Sequence, residues 1–370
     1  MAPPITLSIY IARQFAGAVV SMLLALSGLV ALFDFIELLR RSISKPDATF
    51  TLVAEIAALR LPYIAMQVLP FAVLLGGMFC FWRLTRSSEL VVARSAGVSA
   101  WQFLAAPTLC AMAFGVLATA ALSPLSSVMF GRAESMDNLY LRSSGGPLAL
   151  NGGQLWLRQS DHALSPQGVA IFHAHGVELH GKRLTASQVS VFRLDGRDRL
   201  LTRIEAGQAT LGAGAWQLQD ARTIRPEQMP EPPATISLPT DLTVARVQES
   251  FASPDTLSFW TLPDFIALLD RSGFSSIRHR LHFQALLAQP LLCATMGLVA
   301  AGFSMRPTRR GGVAKMITSG VATGFALFLI SKIAEEFGHT GALPVVLAAW
   351  APAVSGMMLA IALLLHTEDG

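Results

Sequence analysis

Charge is scarce in this chain. Asp, Glu, Lys and Arg make up 14% of its 370 residues, against 52% hydrophobic, where a soluble domain carries about 25% charged residues. A soluble fold cannot bury that much apolar surface, which excludes a soluble enzyme and makes a membrane protein the expectation. Cysteine is scarce too. Cys80, Cys110 and Cys293 each sit inside an apolar run, which excludes a disulfide framework and leaves them as small packed hydrophobes. Familiar catalytic patterns are missing as well: the chain has no nucleophile elbow, no HExxH and no paired membrane carboxylates.

The charge that is there is unevenly placed. Residues 131–282 hold 15 Lys+Arg and 15 Asp+Glu, leaving 13 and 9 for the other 218 residues, so the flanks carry the whole net charge of +4. The chain therefore reads as membrane helices in 1–130, a polar insert in 131–282 and membrane helices in 283–370. A span needs roughly 20 apolar residues, because a helix rises about 1.5 Å per residue across a hydrocarbon core of about 30 Å. Six stretches qualify: 9–35, 61–82, 100–122, 284–305, 313–333 and 343–365. The first is too long for a signal peptide and no convincing small-residue cleavage site follows it, so a retained span is expected.

Orientation follows from Lys and Arg in short loops. Arg83, Arg86 and Arg94 face only Glu89 between spans two and three, and Arg306, Arg309, Arg310 and Lys315 face no acid between spans four and five. Both loops are expected in the cytoplasm, which places both termini inside and the insert outside. Arg40, Arg41 and Lys45 then fall on the outer side, against the rule. They read either as snorkelling anchors or as a basic collar for an anionic ligand.

The insert reads as all β. Segments 154–158, 169–173, 188–194, 200–206 and 208–218 are short, alternating and rich in β-branched or aromatic residues, with turns such as Asp195-Gly196 between them. Several short strands at close spacing predict an antiparallel sandwich or jelly roll. Pro230, Pro232, Pro233 and Pro239 in 228–239 suit an edge or a connection. Residues 258–272, with Leu262, Phe265, Ile266 and Leu269 at helical spacing, predict an interfacial helix.

Three polar patterns invite chemistry. Gly176 to Arg183 has phosphate-loop spacing, but Arg183 stands where Ser or Thr should hold magnesium, and a strand follows rather than a helix; nucleotide binding is not expected. His173 and His175, alternate residues that share a strand face, and His180 could suggest a metal site, but with no carboxylate or cysteine at ligand spacing they read as surface histidines. Asp34 and Glu37, near Arg40 and Arg41, predict intrahelical ion pairs, as do Lys332, Glu335 and Glu336.

The stretch from Thr85 to Val98 is the most informative. Ser87 or Ser88 can cap a helix, Glu89 suits its N-terminus and Gly97 can end it. A short amphipathic helix over 86–97 follows, either lying at the interface or docking in a partner's groove. Here the sequence resembles a family. Ser88-Glu89-Leu90 followed by apolar residues and Ala96-Gly97 is similar to the coupling helix of the lipopolysaccharide export permeases of the LptF/LptG family. Phe35-Ile36-Glu37-Leu38-Leu39-Arg40-Arg41 resembles the family's first-span ending, and Leu61-Pro62, Leu69-Pro70 and Gly76-Gly77 its second span. The resemblance covers essentially the whole chain and leans to the LptG type.

That resemblance implies a six-helix, three-plus-three membrane protein with a periplasmic jelly roll, in the inner membrane of a Gram-negative bacterium. It implies a non-catalytic permease subunit with no cofactor and no nucleic-acid partner. A cytoplasmic ABC ATPase dimer, a second homologous permease and a periplasmic bridge protein with its own jelly roll are the implied partners. Carried over by position, Arg86, Glu89, Leu90, Val91 and Arg94 would dock on the ATPase. Arg40, Arg41 and Lys45 would meet the lipopolysaccharide headgroup, and Phe33, Leu69 and Phe71 its acyl chains. Asp34 and Tyr63 stand where some relatives carry lysines, so Arg132 and Arg142 join the expected headgroup contacts. An exporter of another lipid or lipoprotein, or a non-transporting assembly protein, are the alternatives.

Overall fold

In a computed structural model of the chain, the described residues are 5–43, 45, 48–89, 92, 95, 99–141, 155–160, 169–180, 183–195, 199–212, 214–225, 228–240, 253–271, 275–304 and 313–368. They form two compact units. One comprises Met1–Met136, Pro254–Pro263 and Ile277–Gly370, the other Asp137–Ser253 and Asp264–Ser276.

The first unit is helical, with α1 (Ile5–Ser42), α2 (Phe50–Arg86) and α3 (Ala100–Leu117). α3 runs through a π-helical turn, Ala118–Leu122, into α4 (Ser123–Met136). The unit continues with α6 (Ile277–Ser304), α7 (Val313–His339) and α8 (Val345–Glu368); the short helix before them, α5 (Leu262–Arg271), belongs to the second unit from Asp264 on. Among the described residues six helices are long and apolar enough to cross a membrane, as expected. Three overrun the expected spans. α1 and α2 have 38 and 37 residues, and the third continuous helix reaches Leu141 rather than ending near 122. The apolar run marks what lipid can cover, but polar residues beyond it carry the helix on because nothing there breaks it.

α6 is the hub, touching α2, α3, α7 and α8. Small residues let it come close: a Cβ on Gly115 of α3 would meet Pro290 Cα of α6 at 2.5 Å. Side-chain hydrogen bonds tie the same helices together. Thr119 Oγ1 donates to the Leu286 carbonyl at 2.9 Å and Thr295 Oγ1 to the Ala353 carbonyl at 3.0 Å. The π turn displaces carbonyls from the regular helical ladder, and the Trp260 indole donates to that of Ala120 at 3.1 Å.

The second unit holds β1 (Leu155–Ser160), β2 (Val169–His180), β3 (Arg183–Leu194), β4 (Leu200–Leu211), β5 (Ala215–Ile224) and β6 (Ala234–Pro239). All pairs are antiparallel and neighbours in sequence are neighbours in space. The all-β insert is there, but its described strands form one up-and-down meander, and the crossover between sheets that a jelly roll implies is not seen among the described residues. β6, which follows Pro230, Pro232 and Pro233 and ends at Pro239, is an edge strand, as that proline cluster led one to expect.

Strand boundaries differ from the sequence reading for a specific reason. Buried positions on β4 are Thr202, Ile204 and Ala206, then Ala209 and Leu211. The phase slips once, at Gly207. Gln188 on β3 and Asp220 on β5, both with positive φ, lie opposite Gly207 in unshifted register, and the inward face changes parity on all three strands along that line, while β2 shifts register at His175. Because the three strands change parity together, their pairing is kept and one face stays inward. Read as strict alternation, each slip looks like a strand end: 200–206 and 208–218 are in fact β4, its hairpin turn and the start of β5. The face so formed buries Trp216 stacked on Phe172, ring centroids 4.3 Å apart.

Candidate functional site

The junction of α1 and α2 gathers the charges singled out above. Glu37 accepts Arg40 Nε and Nη2, each at 2.8 Å, and Arg41 Nε at 2.9 Å. Spacings of three and four along one helix bring both guanidinium groups over a single carboxylate. The arginine side chains remain 73% and 45% exposed, so planar, permanently charged donors are presented to the outside. Phe35 meets Phe50 edge-on at 5.7 Å and holds the two helices together here.

Asp34 corrects the expectation of an intrahelical pair. Its i+3 and i+4 neighbours are Glu37 and Leu38, so no cation lies within helical reach. It accepts Arg60 Nη1 of α2 instead, at 3.0 Å, with both side chains largely buried. Arg60 is the functional candidate that sequence reasoning missed. A lone arginine inside the apolar α2 run was the signal that could have found it.

The other candidates scatter. Arg132 of α4 pairs with Glu55 of α2 at 3.2 Å. Lys45 closes the turn after α1 through its backbone N–H to the Ser42 carbonyl at 2.9 Å. Arg142 lies outside the described residues. Phe33 is 65% exposed, whereas Leu69 is buried in the helical core and Phe71 packs against Phe328 at 5.1 Å. The three apolar candidates therefore do not share one surface.

At the far end of α2, Arg86 sits over the Trp82 ring at 5.5 Å, within cation–π range. Ser87 ends the helix rather than capping the next, and Ser88 turns the chain with φ of 61°. The Ser87 hydroxyl donates to Glu89 Oε1 at 2.8 Å. Glu89, Val92 and Ser95 are helical, with Val92 exposed, while Leu90, Val91 and Arg94 lie outside the described residues. α3 then starts on a capping box between Ser99 and Gln102.

The phosphate-loop pattern is a β-hairpin, Gly176 to His180 lying on β2 and Arg183 opening β3. His173 and His175 meet at 4.6 Å. Burial lowers the His173 pKa, and His175 lowers it further.

Residues 9–366 match the family described as lipopolysaccharide export system permease LptF/LptG. The chain belongs to this family. It is also 22% identical to the lipopolysaccharide export system permease protein LptG of Haemophilus influenzae, the aligned 376 residues covering 98% of this chain and 99% of that protein. The family resemblance read from the sequence is thus borne out, and its six apolar helices make this LptF/LptG member a multi-pass membrane protein.

Proposed function

We propose that this chain is the non-catalytic membrane half of an ATP-driven exporter. It draws lipopolysaccharide from the outer leaflet of the inner membrane and passes it to a periplasmic bridge protein. The match across residues 9–366 carries this reading. Residues 1–130 and 283–370 form the membrane part, with both termini cytoplasmic, and 131–282 form the periplasmic part. A second homologous permease completes the cavity, and a cytoplasmic ATPase dimer drives it through the segment 86–97, with Glu89 at its start.

The roles follow from chemistry. Lipopolysaccharide carries phosphates and several acyl chains. Arg40 and Arg41 hold phosphate by charge-assisted, bidentate hydrogen bonds, while Glu37 keeps both side chains at the rim. Arg60, paired with Asp34, and Arg132, paired with Glu55, add further guanidinium donors on α2 and α4. Acyl chains run along the exposed apolar face of α1 that carries Phe33. No covalent step is asked of this subunit.

Affinity purification of the tagged full-length chain in mild detergent tests the assembly. The wild type should bring down an ATPase and a second six-span permease, and Glu89→Lys should lose the ATPase while keeping the permease. Recovery of the chain alone in both cases overturns the transporter reading. With the assembly reconstituted, Arg40→Glu with Arg41→Glu should abolish stimulation of ATP hydrolysis by lipopolysaccharide. Undiminished stimulation would point to another headgroup and return these arginines to interfacial anchoring.

A further inference from the structure

Proline inside a helix has no N–H to offer the carbonyl four residues earlier. Pro70 in α2 leaves the Met66 carbonyl without that donor, Pro124 in α4 leaves that of Ala120, and Pro290 in α6 leaves that of Leu286. In a membrane helix such a group needs a partner from elsewhere in the protein. Each finds one on another segment. Gln289 Nε2 of α6 donates to the Met66 carbonyl at 3.3 Å, Thr119 Oγ1 of the π turn to that of Leu286 at 2.9 Å, and Trp260 Nε1 to that of Ala120 at 3.1 Å.

The three bonds follow one another, because each donor sits beside the next proline joint. Gln289, which serves the α2 joint, is the residue before Pro290. Thr119, which serves the Pro290 joint, lies in the π turn that runs into Pro124. Trp260, which serves that joint, lies in Pro254–Pro263, a segment of the helical unit flanked in sequence on both sides by residues of the sheet unit. Phe259 adds a second bond there, its N–H donating to Ser123 Oγ at 3.1 Å. The series runs from α2 to α6, from α6 to the π turn, and from the π turn to residues 254–263.

A joint of this kind is softer than the helix around it. A backbone bond within the helix has been exchanged for one side-chain bond to a neighbour, and such an interhelical bond in a membrane shifts an equilibrium by only about threefold. Sharp helix bends fall at prolines and π turns. The joints also have room: a cavity of about 360 Å³ borders Met66, Pro70, Ser123, Leu286 and Gln289, where a solidly packed core would resist displacement.

We propose that Gln289, Thr119 and Trp260 form a mechanical relay. Bending of α2 at Pro70 shifts Gln289 and the α6 joint, the α6 joint shifts Thr119 and the π turn, and the π turn shifts residues 254–263. In transport, a role that rests on the reading above, the relay carries a push on segment 86–97 through α2 to the chain segment that leads into the sheet unit. The relay itself is a property of the folded chain, so its test needs neither ATPase nor lipopolysaccharide, and its failure is distinct from failure of the transport reading.

Hydrogen–deuterium exchange of the full-length chain in dodecyl maltoside tests it, read by mass spectrometry in peptides covering 62–74, 118–128 and 257–262, with 354–365 of α8 as a control outside the series. Gln289→Leu removes the first bond. It should speed exchange about threefold in 62–74 and in the same direction at 118–128 and 257–262, leaving 354–365 unchanged. Pro70→Ala gives the Met66 carbonyl a backbone donor and makes that bond redundant; in its background Gln289→Leu should change nothing further at 257–262. Thr119→Val removes the middle bond. In that background Gln289→Leu should still act on 62–74 and no longer reach 257–262. Changes confined to 62–74, an equal rise at 354–365, or an effect at 257–262 that survives Thr119→Val would overturn the relay.

Discussion

In the sheet, Trp216, Leu218, Ile204 and Phe172 are buried while the residues between them face outward. In the helices Leu24, Phe33, Phe325 and Met358 are all more than half exposed, and backbones approach closely at Gly76 and Gly115. Apolarity therefore marks the inside of the sheet unit and does not mark the inside of the helical unit. Lipid is as apolar as leucine, so helices in a bilayer gain little by hiding large side chains and associate where small ones let backbones approach.

Six substitutions would sharpen or break this contrast, beginning with the largest effect. Trp216→Ala should destabilise the sheet unit by about 3–5 kcal/mol through its cavity. Limited proteolysis of the full chain should then cut within 155–239 at a lower urea concentration. Gly115→Val should cost about 1–3 kcal/mol from overpacking against Pro290. Gly28→Ala, where an added Cβ meets nothing within 4 Å, should leave the melting temperature in detergent unchanged or raise it. Equal losses in the two glycine variants would break the claim that close approach, not helix content, sets the packing.

Asp34→Asn should come next. It takes the carboxylate from the largely buried Arg60 guanidinium at a cost of about 1–2 kcal/mol. Glu37→Gln, on the exposed rim, should not measurably change the melting temperature. At His173 the effect depends on pH. A pKa lowered in the fold means that the unfolded chain binds the proton more readily, so stability is full above the ordinary histidine range and declines as pH falls through it. His173→Gln should flatten that acid-side decline in a pH series of urea titrations.

Legibility followed the same divide. All six spans were readable, because length and hydropathy are local properties of a helix. The ends of the first three were not, because α1, α2 and α4 continue past what lipid covers. The β character of the insert was readable, but its strand boundaries failed at Gln188, Gly207 and Asp220, where the inward face changes parity without ending the strand. At the α1–α2 junction the Glu37 pairs with Arg40 and Arg41 followed from spacing. The partner of Asp34 did not, since Arg60 lies 26 residues away on another helix.

The sequence by itself determined the membrane class, the polar insert between two groups of three spans, and the family, through motifs spread over the whole chain. Each depends on composition or spacing within a few turns. Only the tertiary structure decided which residues of the helical unit meet. Tyr63 meets Asp255 across 192 positions, and Gln289 meets Met66 from another helix. Such groupings depend on helix packing, which in this unit is set by where glycine and alanine permit close approach.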